Sequence, residues 1–201
     1  MSDSRSTAVG IIHAEHRALS AVIGNMKYLL AEVRAGRVTM DYPLFWSMVH
    51  YIEAFPDHLH HPKEDDWLFA RLQQRTSVAD ALITELRLQH SHEPLALNTI
   101  RRFLGNLEAG VAGSLDGLEQ AVSAYAEFAR KHMRTEEHDL LPLAEAYLST
   151  ADWDEIAAAF QENADPLAAA PQEAVFNALF SQIVARTPAP LGLGATSTLR
   201  T

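Results

Sequence analysis

The chain has 201 residues, of which 48% are apolar, and its formal charge is -10 at pH 7. This length and composition predict one folded domain with a buried core, and the acidic charge argues against nucleic acid or an anionic membrane as a partner. Cysteine is absent, which excludes disulfides, thiolate zinc sites and iron–sulfur clusters. Any metal must therefore bind nitrogen and oxygen ligands.

Four long segments repeat apolar residues at helical spacing. They cover about residues 6–34, 41–72, 78–107 and 115–148. Asp41 is a plausible N-cap with Pro43 in the first turn of the second segment, whereas Pro56 and Pro62 should bend that segment or loosen its hydrogen bonding. Joined by short loops, these segments predict an all-α protein, with an antiparallel up-down four-helix bundle over residues 1–150.

The helical pattern weakens after residue 150. We expect residues 151–186 to form a short helical C-terminal extension, since Val175, Leu179 and Ile183 have helical spacing. Residues 187–201 are rich in proline, glycine, serine and threonine, and they are predicted to be a mobile tail. No apolar run approaches the roughly 20 residues that span a bilayer, and no signal peptide is recognised, so we expect a cytoplasmic protein.

An internal repeat pairs histidine with glutamate. Histidine precedes glutamate by one helical turn at positions 60–64 (HHPKE) and again at positions 132–136 (HMRTE). His16, in Glu-His-Arg, and His90, in Gln-His-Ser, form a second matching pair at nearly the same offset along the chain. Each half of the chain thus offers one histidine from its first helix and a histidine–glutamate pair from its second.

This spacing suits a metal site in the core of a bundle. Residues four apart on a helix lie about 40° apart, so the imidazole and the carboxylate can reach one ion, and a carboxylate can bridge two ions. Imidazole and carboxylate without sulfur suit iron, with manganese or zinc as alternatives. The predicted ligands of two ions are His16, His60, Glu64, His90, His132 and Glu136.

Some residues near these ligands can be interpreted in more than one way. His61 lies three residues before Glu64, so the bend at Pro62 could turn it inward as a ligand or a hydrogen-bonding partner, or it could be exposed. Glu137 competes with Glu136 as the bridging acid, although register with Glu64 favours Glu136. Four further histidines are interpreted as surface or ordinary core residues: His50, His58, His92 and His138.

These motifs resemble the hemerythrin-like family, often called the HHE cation-binding domain, over about residues 9–148. The matching stretches are residues 14–17 (AEHR), 60–65 (HHPKED) with 68–69 (LF), 89–90 (QH) and 132–137 (HMRTEE). The resemblance implies a four-helix bundle with a carboxylate-bridged di-iron centre that carries an oxo or hydroxo bridge. It also implies O₂ binding or sensing, nitric oxide or peroxide handling, or iron sensing.

The chain departs from the oxygen-carrying hemerythrins at two positions. They have a histidine four residues after the third-helix ligand, where this chain has Pro94, and their helix-four acid would correspond to Glu137. The chain is therefore more similar to a four-histidine, two-glutamate branch. More carboxylate and fewer imidazoles favour ferric iron, which argues against simple reversible O₂ carriage.

Three functions follow from this interpretation. The first is a binding protein that takes up or senses O₂, NO, peroxide or iron. The second is a di-iron enzyme for peroxide disproportionation, NO reduction or ferrous iron oxidation, in which His61, Glu137, His13 and Tyr125 could deliver protons. The third is a structural or interaction bundle whose metal is incidental. The sequence does not identify a protein partner.

Overall fold

The structure is a computed structural model that describes residues 4–161 and 172–194. Among the described residues, 85% are helical and no strand forms, which confirms the all-α prediction. None of the described helices has both the length and the apolar character of a bilayer-spanning segment.

The helices follow one another with short connections. In chain order they are α1 (Ser4–Arg34), α2 (Tyr42–Phe55), π1 (Pro56–His60), α3 (His61–Lys63), π2 (Glu64–Phe69), α4 (Ala70–Arg75), α5 (Asp80–Glu108), α6 (Ser114–Thr135), π3 (Glu136–Leu140), α7 (Leu141–Tyr147), α8 (Thr150–Gln161) and α9 (Gln172–Arg186). Helical turns run without a break from α2 to α4 and from α6 to α7. We therefore refer to four arms, formed by α1, by α2–α4, by α5 and by α6–α7.

The second arm begins as its sequence predicts. Asp41 caps it, because the carboxylate accepts a hydrogen bond of 3.1 Å from the backbone N–H of Leu44. Gly36 has a φ of 68°, a left-handed conformation that glycine adopts readily, and it lies two residues after the end of α1 at Arg34.

Wide π turns interrupt the second arm (α2–α4) and the fourth arm (α6–α7) where the histidine–glutamate pairs lie. Pro56 begins π1, and it has no N–H to donate to the carbonyl of Ile52 four residues earlier. The hydroxyl of Tyr125 lies 3.4 Å from that carbonyl oxygen. This agrees with the expectation that Pro56 loosens the helical hydrogen bonding, and π turns inside helices are frequent at functional sites.

Two apolar clusters fill the core. The first apolar cluster contains Leu19, Met26, Ile52, Leu97 and Val122, among others. The second apolar cluster contains Ile12, Leu68, Leu86, Leu140 and Phe160, among others. Each arm contributes to both clusters, and its predicted ligands lie in the sequence between the two contributions.

The predicted C-terminal extension contains two helices that pack on the arms. Helix α8 lies against α1 and adds Trp153 and Phe160 to the second apolar cluster. Helix α9 lies against α2 and adds Phe176 and Ile183 to the first. Residues 195–201 of the predicted tail lie outside the described residues. The domain boundaries and the mobility of the tail stay predictions.

Candidate metal centre

The predicted ligands lie together in the layer between the two apolar clusters. All are buried, and the side chains of Glu64 and Glu136 are each only 1% exposed. An unpaired carboxylate this deeply buried is very costly, so the site needs compensating positive charge. The buried set comprises His16, His60, His61, Glu64, His90, His132 and Glu136.

Six of these side chains form two overlapping groups of four. In each group, every residue offers a ligand atom that lies within 4.8 Å of the others. Glu64 and Glu136 belong to both groups, whereas each group has its own two histidines. The first group adds His16 and His60, and the second adds His90 and His132.

Several of the inward-facing atoms have no hydrogen-bonding partner among the described residues. Both oxygens of Glu64 and of Glu136 lack one, as do Nε2 of His90 and Nε2 of His132. Buried polar atoms in folded proteins are nearly always paired. Six unpaired lone-pair donors in one layer therefore fit cation binding.

The outer nitrogen of each of the four histidines is held by an oxygen acceptor. The Nδ1 atoms of the histidines donate to carboxylate or amide oxygens, because these acceptors have no hydrogen to offer in return. The four bonds are His16 to Glu137 (2.8 Å), His60 to Glu15 (2.7 Å), His90 to Asp65 (3.1 Å) and His132 to Gln89 (2.9 Å).

This hydrogen bonding leaves the Nε2 lone pairs free to face the interior of the site. The Gln89 amide is oriented by its own donation to Glu85, over 2.9 Å, so its oxygen is the atom that faces His132. An imidazole that donates from Nδ1 to a carboxylate or carbonyl is the usual state of a metal-binding histidine. The four imidazoles thus have the orientation that metal ligation requires.

The four acceptors follow the internal repeat, and the sequence interpretation missed their role. Glu15 directly precedes His16 and accepts from His60 of the same half. Gln89 directly precedes His90 and accepts from His132 of the same half. Asp65 and Glu137 directly follow the two buried glutamates, and each accepts from a histidine of the opposite half. Their matching positions in the repeat could have indicated this.

The electrostatics of the cluster reflect its burial. Burial lowers the pKa of His16, but the adjacent carboxylates of Glu136 and Glu137 outweigh this effect and raise the pKa to about 10. Burial lowers the pKa of His132 to about 4. Burial, together with the facing Glu136 carboxylate, raises the pKa of Glu64 well above its usual range. Without a metal ion, protons bound to some of these histidines and carboxylates therefore balance the charge of the cluster.

His61 is buried beside this layer but belongs to neither group of four. Its ring stacks on that of His90 with centroids 3.8 Å apart, and it can offer a ligand atom near His90 and His132. Its Nε2 lies 3.6 Å from Oε2 of Glu93, a buried carboxylate that the sequence interpretation did not single out. Glu93 has no matching acid in the first half, so the repeat gave no signal for it.

The two candidate bridging acids have different environments. Glu136 is buried and lies in both groups of four. Glu137 is 31% exposed and accepts from the outer nitrogen of His16. The structure thus brings Glu136 into the centre and gives Glu137 the position of an orienting partner. The histidines expected to lie elsewhere, His50, His58, His92 and His138, are all exposed.

A small cavity adjoins the cluster on the side of the first apolar cluster. Its volume is about 20 Å³, enough for about one water molecule. His60, His61 and His132 line it together with Glu93 and Tyr125, and apolar side chains complete the wall. The hydroxyl of Tyr125 donates to Oε1 of Glu93 over 2.6 Å. The cavity can therefore accept only a very small molecule beside the histidines.

Comparison with known proteins identifies one family. The model of the hemerythrin HHE cation binding domain matches residues 7–144, which is more than half of the chain. No curated protein matches the chain significantly. No solved structure does so either.

Proposed function

We propose that this chain, which belongs to the hemerythrin HHE cation-binding domain family, holds two non-haem iron ions in the layer of buried histidines and glutamates. The observation that carries the proposal is the overlap of the two four-residue groups. Glu64 and Glu136 belong to both groups, so each can bridge two ions, while each histidine pair serves one ion. His16, His60, Glu64, His90, His132 and Glu136 are the proposed ligands.

The ligand chemistry supports iron as the proposed metal. Two imidazole nitrogens and shared carboxylates for each ion suit iron, and they also accept manganese or zinc. Six protein residues leave coordination positions open on both ions, which is a requirement for binding a small exogenous ligand. The ions would supply a place for such a ligand and the redox chemistry of iron.

We also propose that the four arms form an antiparallel up-down bundle. The order in which each arm contributes to the two apolar clusters supports this. In α1 and α5, residues of the second apolar cluster come before the predicted ligands and residues of the first come after them. In the other two arms this order is reversed. Alternating order is the pattern expected of helices that alternate in direction.

The physiological ligand that we propose is a small diatomic molecule or peroxide. The cavity beside His60 and His132 holds about one water molecule, which favours the smallest ligands and argues against larger metabolites. We infer a protein that binds or senses O₂, NO or peroxide, or that senses iron itself. A cytoplasmic location stays a prediction.

An enzyme is the second candidate, and the polar wall of the cavity favours it. Tyr125 and Glu93 are hydrogen bonded to one another, and both face the cavity. Groups that hold protons so close to a bound ligand suit peroxide disproportionation, NO reduction or iron oxidation, since turnover requires proton transfer.

One experiment separates the two candidates and tests the centre itself. Iron-loaded protein is assayed for O₂ release from peroxide and for NO consumption, beside the Glu64→Gln variant and an equal amount of free iron. Turnover above both controls supports the enzyme. Ligand binding without turnover supports the binding protein. A purified protein that takes up no iron and does not change its melting temperature with ferrous iron would overturn both and favour a structural bundle.

A further inference from the structure

A second histidine–carboxylate cluster lies on the solvent side of the centre. Asp57, His61 and Glu93 each offer a ligand atom within 4.8 Å of the others. His61 and Glu93 are buried, whereas Asp57 is exposed on π1. The cluster therefore reaches from the buried layer to the surface.

The two carboxylates of this cluster have little compensating charge. Glu93 accepts a hydrogen bond from Tyr125, but within the described part of the chain neither Glu93 nor Asp57 pairs with a lysine or an arginine. The His61 side chain is only 9% exposed and makes no hydrogen bond to a described residue. A buried carboxylate beside an imidazole that makes no hydrogen bond is costly unless a proton or a metal ion balances the charge.

The internal repeat shows that the fold does not need polar residues at these places. Asp57 and His61 correspond to Ala129 and Met133 of the second half, at the offset that relates the two histidine–glutamate pairs. Glu93 corresponds to Leu19, at the offset that relates the two first-helix histidines. The histidine and two acids of this cluster, which come from both halves, thus each have an apolar counterpart in the repeat, although the six ligands of the centre are matched. This asymmetry indicates a role beyond packing.

We propose that Asp57, His61 and Glu93 form a third site that binds a divalent cation. Two carboxylates and one imidazole suit ferrous iron, manganese or zinc, with water completing the coordination. Because His61 also lies in a group with His90 and His132, this site is the entry position through which ions reach the buried centre. The entry role, but not the site, rests on the proposed di-metal function.

Crystals of the metal-free protein soaked in Co²⁺ test the site directly, because anomalous diffraction locates each ion. We expect one peak among Asp57, His61 and Glu93, in addition to two in the buried centre. Glu93→Gln, which keeps the size of the side chain, and Asp57→Asn should remove only the outer peak. Asp66→Asn is the matched control, since Asp66 is an exposed acid of π2 outside every ligand group.

The possible results keep the two proposals apart. Two buried peaks without an outer one overturn the third site and leave the di-metal centre standing. An outer peak without the buried pair overturns the proposed function and the entry role but supports the third site. In solution, Co²⁺ titration of Asp57→Asn and Glu93→Gln should show the outer site weakened about 10-fold or more, since even indirect partners of a metal contribute about 10–100-fold.

The entry role has its own measurement. Anaerobic Fe²⁺ uptake by the metal-free protein should be about tenfold slower in Asp57→Asn than in Asp66→Asn. This magnitude assumes that loss of the Asp57 carboxylate weakens ion capture as much as loss of a residue that supports a metal ligand typically weakens metal binding. The final iron content of the two variants should be equal. Equal uptake rates would overturn the entry role, and a lower final content would show that Asp57 supports the buried centre instead.

Discussion

The Nε2 atoms of His16 and His60 lie 3.0 Å apart, while the Nδ1 atom of each ring donates outward to a carboxylate. If both imidazoles are neutral in this state, the lone pairs of their two Nε2 atoms face and repel each other. A proton on one ring, or a metal ion bound to both, relieves the repulsion. The internal repeat gives the opposite half its own inward-facing pair in His90 and His132. Cation binding accounts for both arrangements.

The two ions should be lost separately when one histidine pair is damaged. His16→Ala should lower the iron content from two ions to about one per chain, because His16 belongs to only one group of four. His50→Ala is the control, since His50 is exposed on α2. Elemental analysis of the purified variants gives the counts. Equal loss in both variants would mean that the wrong histidines have been identified.

Replacing a shared carboxylate should remove both ions. Glu64 lies in both groups of four, and the neutral amide of Glu64→Gln neither bridges two ions nor balances their charge. We expect the iron content to fall to near zero, with Asp66→Asn unchanged. A Glu64→Gln protein that retains two ions would rule out Glu64 as a bridging ligand.

The residues that hold the outer imidazole nitrogens should tune affinity without contacting metal. Asp65 accepts from Nδ1 of His90, whereas its neighbour Asp66 belongs to no ligand group. Asp65→Ala should weaken metal binding about 10–100-fold, and Asp66→Ala should not. Competition with a chelator of known affinity measures the difference. Identical affinities would show that His90 needs no orienting partner.

The stability of the metal-free protein should fall as the pH rises above about 6.5. Burial lowers the pKa of His16 and of His90, but the neighbouring carboxylates outweigh it and raise both to about 10 from 6.5. A histidine with a raised pKa stabilises the fold fully below 6.5, and that contribution disappears as the pH rises through about 10. His132, whose pKa is lowered to about 4, acts oppositely and loses its contribution below 6.5.

Metal binding should abolish this decline, because an ion on Nε2 replaces the proton. Thermal denaturation from pH 6 to pH 10, with chelator and with bound zinc, measures both curves. We expect the melting temperature of the zinc-loaded protein to be higher and nearly constant over this range. A metal-free protein whose melting temperature rises between pH 7 and pH 10 would contradict the account.

The repeat in the sequence predicted which residues meet in the core but not how the backbone places them. On a regular helix His61 would lie about 100° from His60, and the two could not easily share a buried layer. Both are buried in the structure, where π1 ends at His60 and π2 begins at Glu64. Pro56 indicated loosened hydrogen bonding. The length and position of the π turns depend on packing against the other arms, which local sequence does not specify.

The orienting acceptors were within reach of the sequence, whereas Glu93 was not. Glu15 and Gln89 occupy equal places in the two halves, as do Asp65 and Glu137, so the repeat extends beyond the predicted ligands. Glu93 has no such counterpart. It lies beside Pro94, which drew attention only because oxygen-carrying hemerythrins have a histidine at that position. Its carboxylate is buried and accepts a hydrogen bond from Tyr125, a tertiary contact that local sequence does not specify.

Anomalous diffraction at the iron edge from crystals of the iron-loaded protein tests the di-iron centre most directly. We predict two peaks, one beside Nε2 of His16 and His60 and the other beside Nε2 of His90 and His132. Both peaks should lie within coordinating distance of Glu64 and Glu136. A single ion, ions bound elsewhere, or a buried layer whose glutamates touch no iron would contradict the account.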